Sequence, residues 1–590
     1  MRKLSALFSA LIFCAALSAA QQGRVEKPKA TAVNAVLQPE EMPEGEKIKQ
    51  DVLDALAALS PEDTSKAKTD FNRLTRAEKL AQTIVITVDI DSADKYRAAI
   101  EQGLVGGVLI QWGDYSLAQT KSLIDKLQSW ARRSPSQIPL LIAIDYEGGT
   151  VYTPVTLGFP YLPTNMMLAA AGNEQDTITL FYIVASELRN VGVHINFAPV
   201  IDVNINPANP IIGVRSFGSD TKVVGDMGVA LITGMQKAGV MAVAKHFPGH
   251  GETVIDSHHD LPRLAMSRED FETIHLPPFK QAVESGVMGV MTAHIVYSFI
   301  DDENPATFSS AILKDLLRKD LGFKGIVISD SLDMGGAVKG STILDAAVKS
   351  LSSGVDMILT SRRDPALTHR QLARQIGKTI PVANIESAAN KIFELKKTLG
   401  LFEERPPRGE DNGETSQGAF DYFAGKITRE AVTVARAQEG MIPYAKNTGK
   451  NPKLCSVFFS PPRFADQLPA INAPFMEKGW QVDYYNASMR PKDADIKRAK
   501  KCMDGADLVL IGSLQWADKP IAAQRSAIRE LLKTDKDVIF LSLMSPYDIK
   551  FYPEAKNIVA LYGANKLSTR AAADIILGNI EPKGKLPVKI

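Results

Sequence analysis

Eight short apolar runs, each followed by a longer stretch of helical character, constrain this chain more than any other feature. The runs are TIVITVD (83–89), GGVLIQW (106–112), PLLIAID (139–145), VHINFAP (193–199), VMAVAKH (240–246), GVMGVMTAH (286–294), GIVISD (325–330) and VDMILT (355–360). Between them, segments such as 116–132, 176–190, 221–237, 268–284 and 309–319 carry apolar residues at helical spacing, several opened by Ser, Thr or Asp in capping positions. Strands that alternate with helices pair in parallel, and eight such units predict an α/β fold with a closed (β/α)8 barrel over residues 51–400.

In a barrel of this kind the reactive groups gather at the carboxyl ends of the strands. Those ends are polar here: Asp145 closes the third run, Lys245 and His246 the fifth, His294 the sixth and Asp330 the seventh. Asp is a good turn residue, so any one of them can simply end a strand. All of them together point to a site. The densest stretch is KHFPGHGETVIDSHHDLP (245–262), where four of the eight histidines, His246, His250, His258 and His259, stand beside Asp256 and Asp260. Such a cluster can serve a metal, an acid/base pair or the turn chemistry of a long loop.

Residues 405–418, RPPRGEDNGETSQG, read as part of a linker over 401–425. A second α/β rhythm follows over 426–590. LCSVFFS (454–460), DLVLIGS (507–513), DVIFLSL (537–543) and NIVALYG (557–563) alternate with helical stretches near 493–504, 522–534 and 568–577. They predict a smaller α/β sandwich with a mostly parallel sheet and helices on both faces. No GxGxxG or phosphate-binding loop occurs in it, so no cofactor is expected. At the other end, Arg2 and Lys3, an apolar run from Leu4 to Leu17, and Ser18-Ala19-Ala20 form a signal-peptide pattern cut after Ala20, with 21–50 as a tether. Cys14 follows Leu11-Ile12-Phe13, too bulky for a lipoprotein cleavage site, and a lipid anchor is not expected. No later stretch approaches the roughly 18 apolar residues of a membrane helix. The expectation is a periplasmic or secreted protein without stable membrane insertion. In it Cys455 and Cys502 either pair or remain buried thiols. A net charge of +1, with 45% hydrophobic and 23% charged residues, argues against a nucleic-acid partner.

Residues 316–333, LLRKDLGFKGIVISDSLD, resemble the signature of glycoside hydrolase family 3, and KHFPGHG followed by DSH resembles its β-N-acetylglucosaminidase branch. DYEGGTV (145–151) is similar to the family's D-x-E-G-G-x-V, IGVRSFG (212–218) to its G-x-R-S-F segment, and GNIEPKGKLPV (578–588) to the close of its second domain. The resemblance implies Asp330 as nucleophile and His258 as general acid/base, oriented by Asp256. It implies Asp145, Arg215, Lys245 and His246 as residues that hold the sugar hydroxyls. Thr150 and Thr153 stand where relatives acting on peptidoglycan fragments commonly carry arginines, which puts the neighbouring aglycone position in doubt.

Elementary chemistry agrees with these roles. A retaining glycosidase needs a nucleophilic carboxylate and a proton donor on opposite sides of the scissile bond. A histidine can supply the proton, since its unperturbed pKa of about 6.5 suits transfer near neutrality. Asp256, two residues earlier, can fold back to accept the Nδ1 proton and fix the tautomer. The activity that the resemblance implies is a retaining exo-β-N-acetylhexosaminidase acting on an N-acetylglucosamine-containing glycan, a carbohydrate, with no metal and no organic cofactor. A β-glucosidase or β-xylosidase of the same family is the nearest rival, although such relatives commonly draw their acid/base from the second domain. A metal-dependent hydrolase lacks HExxH or comparable spacing among His246, His250 and His258. A secreted wall-glycan binding protein without turnover is the non-enzymatic alternative.

Overall fold

The computed structural model describes residues 70–111, 113, 115–149, 158–403, 413–446, 451–515 and 521–590. The signal peptide, Cys14, the tether and both Thr150 and Thr153 lie outside the described residues.

All eight apolar runs form strands: β1 (Ile84–Val88), β2 (Gly107–Ile110), β3 (Leu141–Ile144), β4 (Ile195–Asn196), β5 (Met241–Phe247), β6 (Gly289–Thr292), β7 (Ile326–Ser331) and β8 (Met357–Leu359). Each pairs in parallel with its sequence neighbours, and β8 pairs with β1 to close the barrel. Alternate residues of these strands fill the interior, among them Leu141 and Ala143, Met241 and Val243, Ile326 and Ile328, Met357 and Leu359. This is the period-two consequence of the pleat. The strands read as unbroken apolar runs because their other faces are buried as well, beneath the surrounding helices. Helix starts follow local chemistry: Ser116 and Gln119 form a capping box at Leu117–Ala131, and the Asp220 carboxylate accepts from the Val223 N–H at Thr221–Lys237.

The second domain is built on a six-stranded sheet of β9 (Thr433–Arg436), β10 (Lys453–Phe459), β11 (Gln481–Ala487), β12 (Leu508–Ser513), β13 (Asp537–Ser542) and β14 (Ile558–Ala560). Its order is β9-β14-β13-β12-β10-β11, parallel except for β9. The four apolar runs are β10, β12, β13 and β14. Strands β9 and β11 were not expected from the apolar runs. The edge strand β11, QVDYYNA, is only partly buried and lacks a continuous apolar run. Part of the stretch read as a linker is also ordered differently, since Gly413–Ala431 is a helix. Only the first part of that stretch, with Pro406 and Pro407, precedes the helix, which begins at Gly413 despite the glycines at 413 and 418. Cys455 and Cys502 are joined by a disulfide. The core of this domain extends onto the barrel, taking in Met166, Met167, Ala170 and Val214.

Candidate active site

At the carboxyl ends of the barrel strands lies a pocket of ≈ 450 Å³ whose lining includes Asp145, Glu147, Arg215, Lys245, His246, His258 and Asp330. That volume is in the range of small-molecule sites.

One wall is an ion network centred on Glu147, which is 1% exposed. Its carboxylate accepts from Arg215 Nε at 2.7 Å and Nη2 at 2.8 Å, and lies 2.5 Å from Lys245 Nζ. Lys245 also donates to Asp145 Oδ1 at 3.0 Å. Burial opposes the Glu147 charge, but the two cations outweigh it and hold the carboxyl down at about 2. Asp145 moves the other way: burial, helped by the charges of Glu147 and Asp330, raises its pKa against the pull of Lys245. A wall of this kind presents fixed donors and acceptors of the sort that sugar hydroxyls require.

A second anchor is Asp202, fully buried in the loop after β4. Its Oδ2 lies 2.7 Å from His246 Nδ1, and its Oδ1 accepts from the backbone N–H groups of His246 at 3.1 Å and His250 at 2.7 Å. With Nδ1 engaged, His246 directs Nε2 toward Arg215, 3.5 Å from its Nη2. Burial disfavours the Asp202 carboxylate, yet His246, His250 and the His250 N–H lower its pKa all the same.

The histidine-rich stretch forms a loop closed on itself. His250 sits 3.0 Å from Ser257 Oγ through Nε2 and 3.1 Å from Thr253 Oγ1 through Nδ1, tying the ends of the turn together. Burial keeps His250 neutral, with a pKa lowered to about 4. The loop then docks on the segment after β7, where Gly335 N–H donates to the His258 carbonyl at 3.0 Å and Gly336 N–H to the Ser257 carbonyl at 2.9 Å. A Cβ on Gly335 would come within 2.5 Å of the His259 carbonyl, so this approach needs glycine. In this setting Asp256 Oδ1 accepts both the His258 backbone N–H and its Nδ1 proton, each at 2.8 Å. Burial works against the imidazolium, but the Asp256 hydrogen bond and the charge of Asp330 raise the His258 pKa above its ordinary 6.5. His259 is farther from Asp256, at 3.6 Å, with 75% of its side chain exposed.

Asp330, at the end of β7, accepts the Ser331 N–H at 2.7 Å. Burial raises its pKa, and the imidazoles of His246, His294 and His258 with the Ser331 N–H more than reverse this, leaving it below 3.8. His294 is itself fixed between Thr307 Oγ1 at 2.8 Å and the Ser331 carbonyl at 3.1 Å. The site therefore holds an ionised carboxylate facing the same pocket as an imidazole biased toward its protonated form. That pairing suits nucleophilic attack at one atom and proton delivery to its neighbour.

The seven residues expected to take catalytic or sugar-holding roles meet around this one pocket, Asp256 through His258 and the other six in its lining, whereas His294, His259 and Asp260 are not among its lining residues. Glu147 and Asp202 were not singled out. Glu147 lies inside DYEGGTV, where spacing says nothing about which carboxylate is the hub. Asp202 belongs to no recognised pattern, and only its place just beyond a strand end was a signal. Among the described residues no group of three or more His, Cys, Asp or Glu is arranged to hold a metal.

Residues 75–395 match the model of the glycosyl hydrolase family 3 N-terminal domain. Beta-hexosaminidase A of Pseudoalteromonas piscicida is 28% identical over 537 residues, covering 82% of this chain and 89% of that protein. A beta-hexosaminidase of Nitrosomonas eutropha is 37% identical over 270 residues, 45% of this chain and 75% of that protein. Among solved structures, a glycoside hydrolase family 3 beta-N-acetylglucosaminidase from Paenibacillus sp. FPU-7 superposes with a TM-score of 0.77 at 29% identity, covering 88% of this chain and 99% of that one.

Proposed function

The chain belongs to glycosyl hydrolase family 3 and is a glycoside hydrolase; from that premise we propose a retaining exo-β-N-acetylhexosaminidase that releases terminal β-linked N-acetylglucosamine from cell-wall or related glycans. The observation that carries the proposal is the His258–Asp256 pair held against the same pocket as ionised Asp330.

In the first step an Asp330 carboxylate oxygen attacks the anomeric carbon as its bond to the leaving oxygen breaks. The leaving oxygen takes the proton from His258 Nε2. Asp256 holds Nδ1–H throughout, so the imidazole keeps one tautomer and the carboxylate stabilises the imidazolium. In the second step water attacks the anomeric carbon, gives its proton to His258 Nε2 and releases the Asp330 carboxylate. Asp145, Arg215, Lys245 and His246 hold the sugar, with Glu147 and Asp202 fixing their orientation. The acetamido group is accommodated and does not act as nucleophile, because Asp330 supplies that role.

A periplasmic or secreted location is part of the proposal, supported by the N-terminal leader pattern and by the Cys455–Cys502 disulfide, which suits an oxidising compartment. Among the described residues no helix is long and apolar enough to cross a membrane. The test is kcat/KM on an aryl N-acetyl-β-glucosaminide against the matching β-glucoside. Faster cleavage of the glucoside would overturn the acetamido specificity.

A further inference from the structure

The loop after β4 carries Asp202 and Arg215 on its catalytic side, and the second domain grips it from behind. Tyr547, 2% exposed on the turn after β13, donates its phenol to the Asn204 carbonyl at 2.8 Å in a buried hydrogen bond. The terminal segment grips it again: Ser219 N–H donates to the Pro587 carbonyl at 3.0 Å, and a Cβ on Gly218 would lie 2.1 Å from that oxygen. Asn204 N–H in turn donates to the Gly218 carbonyl at 2.9 Å, so both grips meet in one piece of backbone.

That backbone is the floor of the acid/base loop. A Cβ on Gly251 would lie 1.8 Å from the Val203 carbonyl, which means the two segments are in direct backbone contact. Asn206 Nδ2 donates to the Glu252 carbonyl at 2.7 Å and Asn209 Nδ2 to the His250 carbonyl at 2.8 Å. His250 then reaches Ser257, the neighbour of His258. The contacts run without a gap from Tyr547 through Asn204, Val203 and Gly251 to the residue beside His258.

We infer that Tyr547 is a positioning residue, through which the second domain sets the placement of the His258 loop while contributing no group to the reaction. The inference rests on His258 being the acid/base, as proposed above, and it makes a prediction that general destabilisation does not. Protonation of the leaving group matters for a poor leaving group and little for one that departs as a stable anion. A fault in His258 placement should therefore be selective for poor leaving groups, whereas a loosened sugar pocket should penalise every substrate alike.

The experiment compares kcat/KM for Tyr547→Phe, His258→Ala and wild type on the unactivated disaccharide of β-linked N-acetylglucosamine and on the 2,4-dinitrophenyl glycoside. For Tyr547→Phe the expected result is a loss of roughly tenfold on the disaccharide and less than about twofold on the dinitrophenyl substrate, the scale of one buried hydrogen bond. Tyr547→Leu, which also removes the ring, should show the same selectivity at greater depth. Equal losses on both substrates, or none, in a Tyr547→Phe protein that melts within a few degrees of wild type would overturn the inference. If His258→Ala itself shows no leaving-group dependence, it is the acid/base assignment that fails.

Discussion

Replacing Glu147 by Gln keeps the shape of the side chain and removes the charge on which two buried cations depend. Lowering a carboxyl from 4.5 to about 2 corresponds to about 3 kcal/mol of interaction favouring the charged form. Removing one member of a buried ion pair costs about 3–5 kcal/mol on other grounds, because the partner is left uncompensated. The two figures agree in scale. Lys245 keeps Asp145 as a partner, so the lower end applies. We expect urea unfolding at pH 7 to show about 3 kcal/mol less stability in Glu147→Gln. Because Arg215 and Lys245 lose their orientation, kcat/KM should fall roughly ten- to hundredfold. The pH dependence carries its own sign. A carboxyl whose folded pKa is depressed contributes stability that is present above 4.5 and is lost as pH falls toward 2, so the gap between wild type and variant should narrow below pH 4.5. A variant within about 1 kcal/mol of wild type and fully active would refute the reasoning about the network.

Asp256 and His258 should behave as a unit, so the double mutant should be little slower than His258→Ala alone; a loss equal to the product of the single losses would separate them. Since His258 must be protonated to act as the acid, kcat/KM should decline as pH rises through its raised pKa, and Asp256→Asn should move that decline to lower pH. Gly335→Ala, which puts a methyl group against the His259 carbonyl, should displace the acid/base loop and cut kcat about tenfold or more, while the control Gly418→Ala, at a helical glycine with open space around it, should leave kcat unchanged.

The barrel was legible because its strands, buried on both faces, leave eight apolar runs that little else in a chain produces. The residues lining the candidate site were legible for a related reason: Asp145, Lys245, His246 and Asp330 end those runs, and the carboxyl ends of the strands are where the pocket lies. The pairing of Asp256 with His258 could be anticipated because it is made within three residues. What stayed hidden depends on contacts far apart in sequence. Asp202 acts across 44 residues on His246, and Glu147 across 68 on Arg215. Tyr547 is separated from Asn204 by 343. The edge strand β11 was missed because half-exposed strands carry mixed residues and lose the apolar signature.

The proposed mechanism turns on Asp330 becoming covalently linked to the sugar. Incubating the enzyme with a 5-fluoro N-acetyl-β-glucosaminyl fluoride slows both steps, the release of the sugar most of all, and traps that species for peptide mass mapping. The expected result is time-dependent inactivation with one sugar attached to Asp330, abolished in Asp330→Ala. A label on any other residue, or inactivation that persists in Asp330→Ala, would contradict it.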